Sequence, residues 1–108
     1  HHIVKENPLA KEKIRFVKAP ASDGFKWAVH EGHVDVAKWF MENRPLMGGI
    51  SSSIPGAFFD AACEGHLPLV KMFLSWTALW VWGSGLRGAL KGGHAHIYAY
   101  IRREIDQR

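Results

Sequence analysis

The dipeptide Gly-His occurs three times in the chain, at Gly32-His33, Gly65-His66 and Gly93-His94, and each copy sits inside the same longer pattern. Seven residues before each Gly stands a large apolar residue (Phe25, Phe58, Leu86), and four before it an alanine (Ala28, Ala61, Ala89). Four and eight residues after it the side chain is again apolar: Val36 and Phe40, Leu69 and Phe73, Ile97 and Ile101. An internal repeat of this length constrains the architecture before any single residue is considered, because each unit can bury its apolar face only against a neighbour.

The pattern predicts pairs of short helices. Residues three or four apart lie above each other on a helix, so the positions before the Gly share one face and those after it share another. The Gly between them is the stop signal, since it takes a left-handed conformation without steric cost. First helices are expected to end at Glu31, Glu64 and Lys91 or Gly92, with second helices starting two or three residues later. Pro68 suits a first-turn position, where its missing N–H costs nothing. The alanine four before the Gly leaves room for a neighbouring backbone, so that successive repeats can stack.

The carrying stretches are FKWAVHEGHVDVAKWFMENR (Phe25 to Arg44), FFDAACEGHLPLVKMFLSW (Phe58 to Trp76) and, more weakly, LRGALKGGHAHIYAYIRRE (Leu86 to Glu104). They resemble the ankyrin repeat family. The resemblance implies an all-α, ankyrin-like solenoid of about three helix-turn-helix repeats, placed at 25–57, 58–85 and 86–108 behind an N-terminal capping segment at 1–24. It also implies a scaffold for protein–protein interaction. Two features depart from the family pattern: the T-P-L-H opening of the first helix is missing from all three copies, and the Gly-to-Gly spacing is 33 residues and then 28.

With 108 residues and 47% apolar content, the chain has material for one small domain. No apolar run reaches the roughly 18 residues of a membrane span, and no secretory signal is visible. The single cysteine, Cys63, excludes an internal disulfide and favours an intracellular, cytoplasmic setting, although an organelle is also compatible. The seven histidines do not make a metal site. His33, His66 and His94 recur at one place in the turn, and neither the His30/His33 nor the His94/His96 spacing is completed by a zinc-type ligand set. No metal and no cofactor is expected.

Two connections stand out. Pro45 to Gly56, PLMGGISSSIPG, has loop chemistry and predicts a projecting finger, either a partner contact with Leu46, Met47, Ile50 and Ile54 as binding residues or a tolerated surface insertion. Phe73 to Trp82, FLSWTALWVW, places Trp76, Trp80 and Trp82 together with no charge from Phe73 until Arg87. Trp76 and Trp80 share a face if the helix continues, and Trp80 and Trp82 share one if the segment is extended; periodicity alone does not choose. These tryptophans have three possible covers. One is the C-terminal repeat itself, one a protein partner, since Trp is enriched among residues that dominate binding energy, and one a membrane surface. No basic amphipathic helix accompanies the patch, which ranks the membrane third.

The net charge of +4 is concentrated toward the ends. Such a balance can attract an acidic protein surface or nucleic acid, but it forms no dense stripe and accompanies no nucleic-acid motif, and the solvated outer face that capping helices must keep is the simpler account. Asn7-Pro8 and the apolar Leu9, Ile14 and Val17 predict a capping helix ending near Lys18, with Ser22 or Asp23 capping the next. No phosphate loop, nucleophile elbow or acid–base pair stands outside the repeat framework, which argues against an enzyme. The sequence therefore predicts a non-catalytic interaction module binding through its inter-repeat loops and the tryptophan segment. The alternative is a structural or accessory subunit held permanently in a larger complex, with peripheral membrane association as one form of it.

Overall fold

The computed structural model describes residues 21–46 and 48–108. The expected capping helix before Lys18 and the candidate Met47 lie outside the described residues. Among the described residues six α-helices run α1 (Ala21–Glu31), α2 (Val34–Glu42), α3 (Ile50–Glu64), α4 (Leu67–Trp76), α5 (Trp82–Gly92) and α6 (Ala95–Asp106), with 3-10 turns at Arg44–Leu46 and Leu79–Val81. Among the described residues there is no strand, and the all-α class stands. The chain divides at Ile54/Pro55, inside α3, into units 1–54 and 55–108.

All three Gly-His turns have one geometry. Gly32, Gly65 and Gly93 have φ of 79°, 83° and 73°, the left-handed conformation that ends a helix. Each Gly N–H donates to the carbonyl three residues back (Val29, Ala62, Leu90; 3.1, 3.3 and 3.2 Å). Each following His N–H donates to the alanine carbonyl five back (Ala28, Ala61, Ala89; 2.8, 2.9 and 2.9 Å). This paired closure satisfies carbonyls that the helix end would otherwise leave bare. The His carbonyl then accepts the first bond of the next helix, from Ala37, Val70 and Tyr98 at 2.9, 3.0 and 3.1 Å. One residue thus closes one helix and opens the next, and no imidazole caps its own helix.

In unit 1, α1 and α2 pack through Phe25, Ala28, Val29, Val36, Ala37, Phe40 and Met41, all buried. The Phe25 and Phe40 rings meet edge to face at 6.0 Å. The end of α2 is closed by Asn43, whose side-chain amide donates to the Trp39 carbonyl at 2.9 Å, and by Arg44, which donates to the Met41 carbonyl at 2.6 Å. Ser22 and Asp23 fall inside the first turn of α1 rather than capping it.

The projecting finger expected at Pro45 to Gly56 is corrected: the segment becomes helical from Ile50. Gly49, at φ 86°, makes the turn, and its carbonyl accepts from the Ser52 and Ser53 hydroxyls at 3.2 and 2.6 Å. Ile50, Ile54, Ala57, Phe58 and Ala61 recur at helical spacing and are all buried. Burial at that period outweighs the Ser/Gly/Pro composition, since each buried aliphatic side chain contributes about 1.5–3 kcal/mol. Pro55 withholds the hydrogen bond that the Ser51 carbonyl would accept, and the exposed position of Ser51 leaves that group to water.

In unit 2 the two helix pairs stack first on first. A methyl added to Gly88 would run into the Phe59 carbonyl, and one added to Gly92 into the Cys63 carbonyl. The backbones of α3 and α5 therefore approach closely along a glycine face. Gly85 completes that face against the Phe58 ring and Ile101. The Phe58 and Phe73 rings stack at 5.3 Å across α3 and α4, and Ile97 and Ile101 close the core from α6.

Candidate functional site

The connection between α4 and α5 is built around one hydroxyl. The Thr77 hydroxyl donates to the Phe73 carbonyl at 2.6 Å, closing the end of α4, and accepts from the Trp82 indole N–H at 3.1 Å. Ser75 closes a second carbonyl of the same helix, that of Met72, at 2.8 Å. Trp82 is 1% exposed and carries the Arg108 guanidinium over its ring at 4.8 Å. Ala78, extended at ψ 157°, leads into the 3-10 turn Leu79–Val81, whose last residue Val81 is also buried.

Fixing Val81 and Trp82 inward forces the two residues before them outward. Trp80 is 79% exposed and Leu79 49%. The pair forms a knuckle: an indole and an isobutyl group exposed on a turn closed by the Val81 N–H, which donates to the Ala78 carbonyl at 3.0 Å, and flanked by Thr77 and the buried Val81-Trp82 pair. Backbone order is bought before any partner arrives, so the entropic cost of docking such a tip is low.

The seven partner-binding candidates separate. Trp80 lies at the surface, Trp76 is half-buried, and Trp82 belongs to the core. Leu46 is 49% exposed at the end of the Arg44–Leu46 turn, whereas Ile50 and Ile54 are core residues of α3. Trp82, Ile50 and Ile54 therefore offer no free surface, because the helical register of α3 and α5 points them inward. Gly32, His33, Gly65, His66, Gly93 and His94 lie at the helix-to-helix turns.

Three exposed apolar residues, Trp27, Leu79 and Leu90, were not singled out by the sequence, and Trp27 is the least exposed of them at 38%. Leu79 was hidden by the ambiguity of its segment. Leu90 is legible by alignment: the residue three before the Gly is Val29, Ala62 and Leu90, and only the last is exposed. Comparison with protein-family models, curated proteins and solved structures returns no match.

Proposed function

We propose that this chain is a non-catalytic protein–protein interaction module, built as a short ankyrin-like stack, that engages a partner through the Leu79-Trp80 knuckle. Support for the ankyrin-like reading comes from the shared backbone conformation and hydrogen-bond pattern of the three Gly-His turns and from the glycine-lined approach of α5 to α3, the first helices of successive repeats in that reading. The observation that carries the binding reading is the 79% exposure of Trp80 on an anchored turn. A large aromatic side chain exposed on such a turn meets the description of a binding hot spot, since it contributes area at small conformational cost.

The test is a photo-crosslinking residue placed at position 80 in the full chain and used to capture the partner from the native source, with Trp80→Ser as the comparison. Capture that depends on Trp80 supports the reading. Equal capture by Trp80→Ser and the parent chain would refute it. Dissociation of the captured complex separates the module from the accessory-subunit alternative: exchange within minutes belongs to a recognition module, and a complex that survives dilution for days to a permanent subunit.

A further inference from the structure

The outer side of the third helix pair is not finished as a solvent face. In unit 2 the turn at Gly65 is covered by the next repeat: a methyl built on Gly65 would lie 2.8 Å from the His94 ring. The equivalent Gly93 has nothing within 4 Å. Around it lies an open recess of about 220 Å³ lined by Ala89, Leu90, Gly93, His94, Ala95 and Tyr98. The equivalent residues one repeat earlier are Ala61, Ala62, Gly65, His66, Leu67 and Val70, of which Ala61, Ala62 and Val70 are fully buried. The recess is thus the position that a stacked helix occupies on the previous repeat.

The second helices tell the same story. Leu69, Val70, Phe73 and Leu74 give α4 a buried stripe two residues wide, whereas α6 buries only Ile97 and Ile101. The other half of the α6 stripe, at positions equivalent to Leu67, Val70 and Leu74, is Ala95, Tyr98 and Arg102. On α5, Leu90 stands 66% exposed at the position of the buried Ala62. Apolar character is kept beside the turn, and charge enters one turn away from it. Arg87 lies one turn before Leu90 and Arg102 one turn after Tyr98, both exposed, with the exposed Lys91 beside Leu90. Because α5 and α6 run antiparallel from the Gly93 turn, Arg87 and Arg102 extend to the same end of the face. No Asp or Glu lies on α5. Arg102 meets Asp106 at 3.8 Å with both side chains at least half exposed, a weak pair readily exchanged for another carboxylate.

We infer that this α5/α6 face docks an amphipathic helix of an acidic protein partner, with apolar side chains in the recess beside Gly93 and carboxylates against Arg87, Lys91 and Arg102. The recess is smaller than the roughly 300–1,000 Å³ of small-molecule pockets and suits the side-chain anchors of a helix laid across two others. A second copy in a two-fold arrangement would set Arg87 and Lys91 near their own equivalents, and like charges suppress such pairing. The inference deepens the interaction reading and rests on it, but uses a face separate from the Leu79-Trp80 knuckle.

The experiment uses the full chain and a designed helical peptide with two leucines one turn apart followed by glutamates on the same face; a matched peptide replaces the glutamates with lysines. Amide shift mapping and fluorescence anisotropy are the readouts. The acidic peptide should bind with shifts centred on Leu90, Gly93 and Tyr98, and Leu90→Ser or Ala95→Arg should weaken it by roughly tenfold or more, the scale of a lost anchor. Arg87→Glu with Lys91→Glu should reverse the preference toward the lysine peptide. Leu90 and Ala95 are exposed, so helicity should be unchanged in those variants. No binding at millimolar peptide, equal binding of both peptides, or affinity unchanged in Leu90→Ser would overturn the inference. Binding that is lost in Trp80→Ser and kept in Leu90→Ser would overturn it while leaving the knuckle as the interaction site.

Discussion

The two sides of α5 follow opposite rules although they alternate along the same eleven residues. Toward α3 the helix presents Gly85, Gly88 and Gly92, bare enough for carbonyl oxygens of Phe59 and Cys63 to sit where side chains would be. Away from it stand Arg87, Leu90 and Lys91, long and exposed. Glycine inside a helix costs about 1 kcal/mol against alanine, so three on one face are tolerated only where backbone approach gives more in return. The glycines therefore say which side was shaped for stacking, and the other side is the one for which docking of a partner helix is proposed.

The largest effect expected from this contrast is at the head of α5. Trp82→Ala removes a 1% exposed side chain and its hydrogen bond to Thr77. A loss of about 3–5 kcal/mol is expected, the range for aromatic-to-alanine changes in cores, read as a shift of the urea midpoint. A loss under about 1 kcal/mol would mean that the turn is not anchored there and that Trp80 is not held by it either.

Next comes Gly88→Ala. The intruding methyl meets backbone rather than a movable side chain, and overpacking of this kind costs about 1–3 kcal/mol, more than the helix-propensity gain of about 1 kcal/mol. A net loss near 2 kcal/mol is expected. Gly83→Ala is the matched control in the same helix, because an added methyl at Gly83 meets nothing within 4 Å. It should stabilise by about 0.5–1 kcal/mol. The same substitution five residues apart thus changes sign, and equal signs in denaturation would break the assignment of the glycine face.

The Gly-His turns sharpen the comparison at smaller scale. Gly65→Ala and Gly93→Ala both force an L-residue into the left-handed region, at about 1–2 kcal/mol. Gly65→Ala must in addition displace the His94 ring, whereas Gly93→Ala meets open space. Gly65→Ala should therefore be the more destabilising by about 1 kcal/mol. Equal losses in paired melts would mean that the stacked and open turns are packed alike.

Much of this was legible in sequence because it is local. The Gly-His turn is written in adjacent residues, and the structure places its helix ends at Glu31, Glu64 and Gly92 and the following starts at Val34, Leu67 and Ala95. The start of α3 was also written, in Ile50, Ile54, Ala57, Phe58 and Ala61, but read by composition the Gly-Gly, Ser-Ser-Ser and Pro signals spoke louder than the period. Gly85, Gly88 and Gly92, three and four apart, carried the stacking face in plain view. The tryptophan segment was not legible, because the chain leaves α4, passes through an extended residue and a 3-10 turn, and enters α5 within six residues. Three backbone geometries in so short a run defeat any single period.

The smallest expected change in stability is also the most informative about function. Trp80 is 79% exposed one residue before the fully anchored pair Val81-Trp82, and surface substitutions away from caps and cores fall within about ±0.5 kcal/mol. Trp80→Ser should leave the denaturation midpoint in place, while removing the largest single share of the tryptophan emission that acrylamide quenches, since Trp39 and Trp82 are buried, Trp76 is half-buried and Trp27 is 38% exposed. A destabilisation above 1 kcal/mol would show that the indole is packed by the chain itself. The knuckle would then be part of the fold, and the case for a partner would pass to Leu90 and the recess beside Gly93.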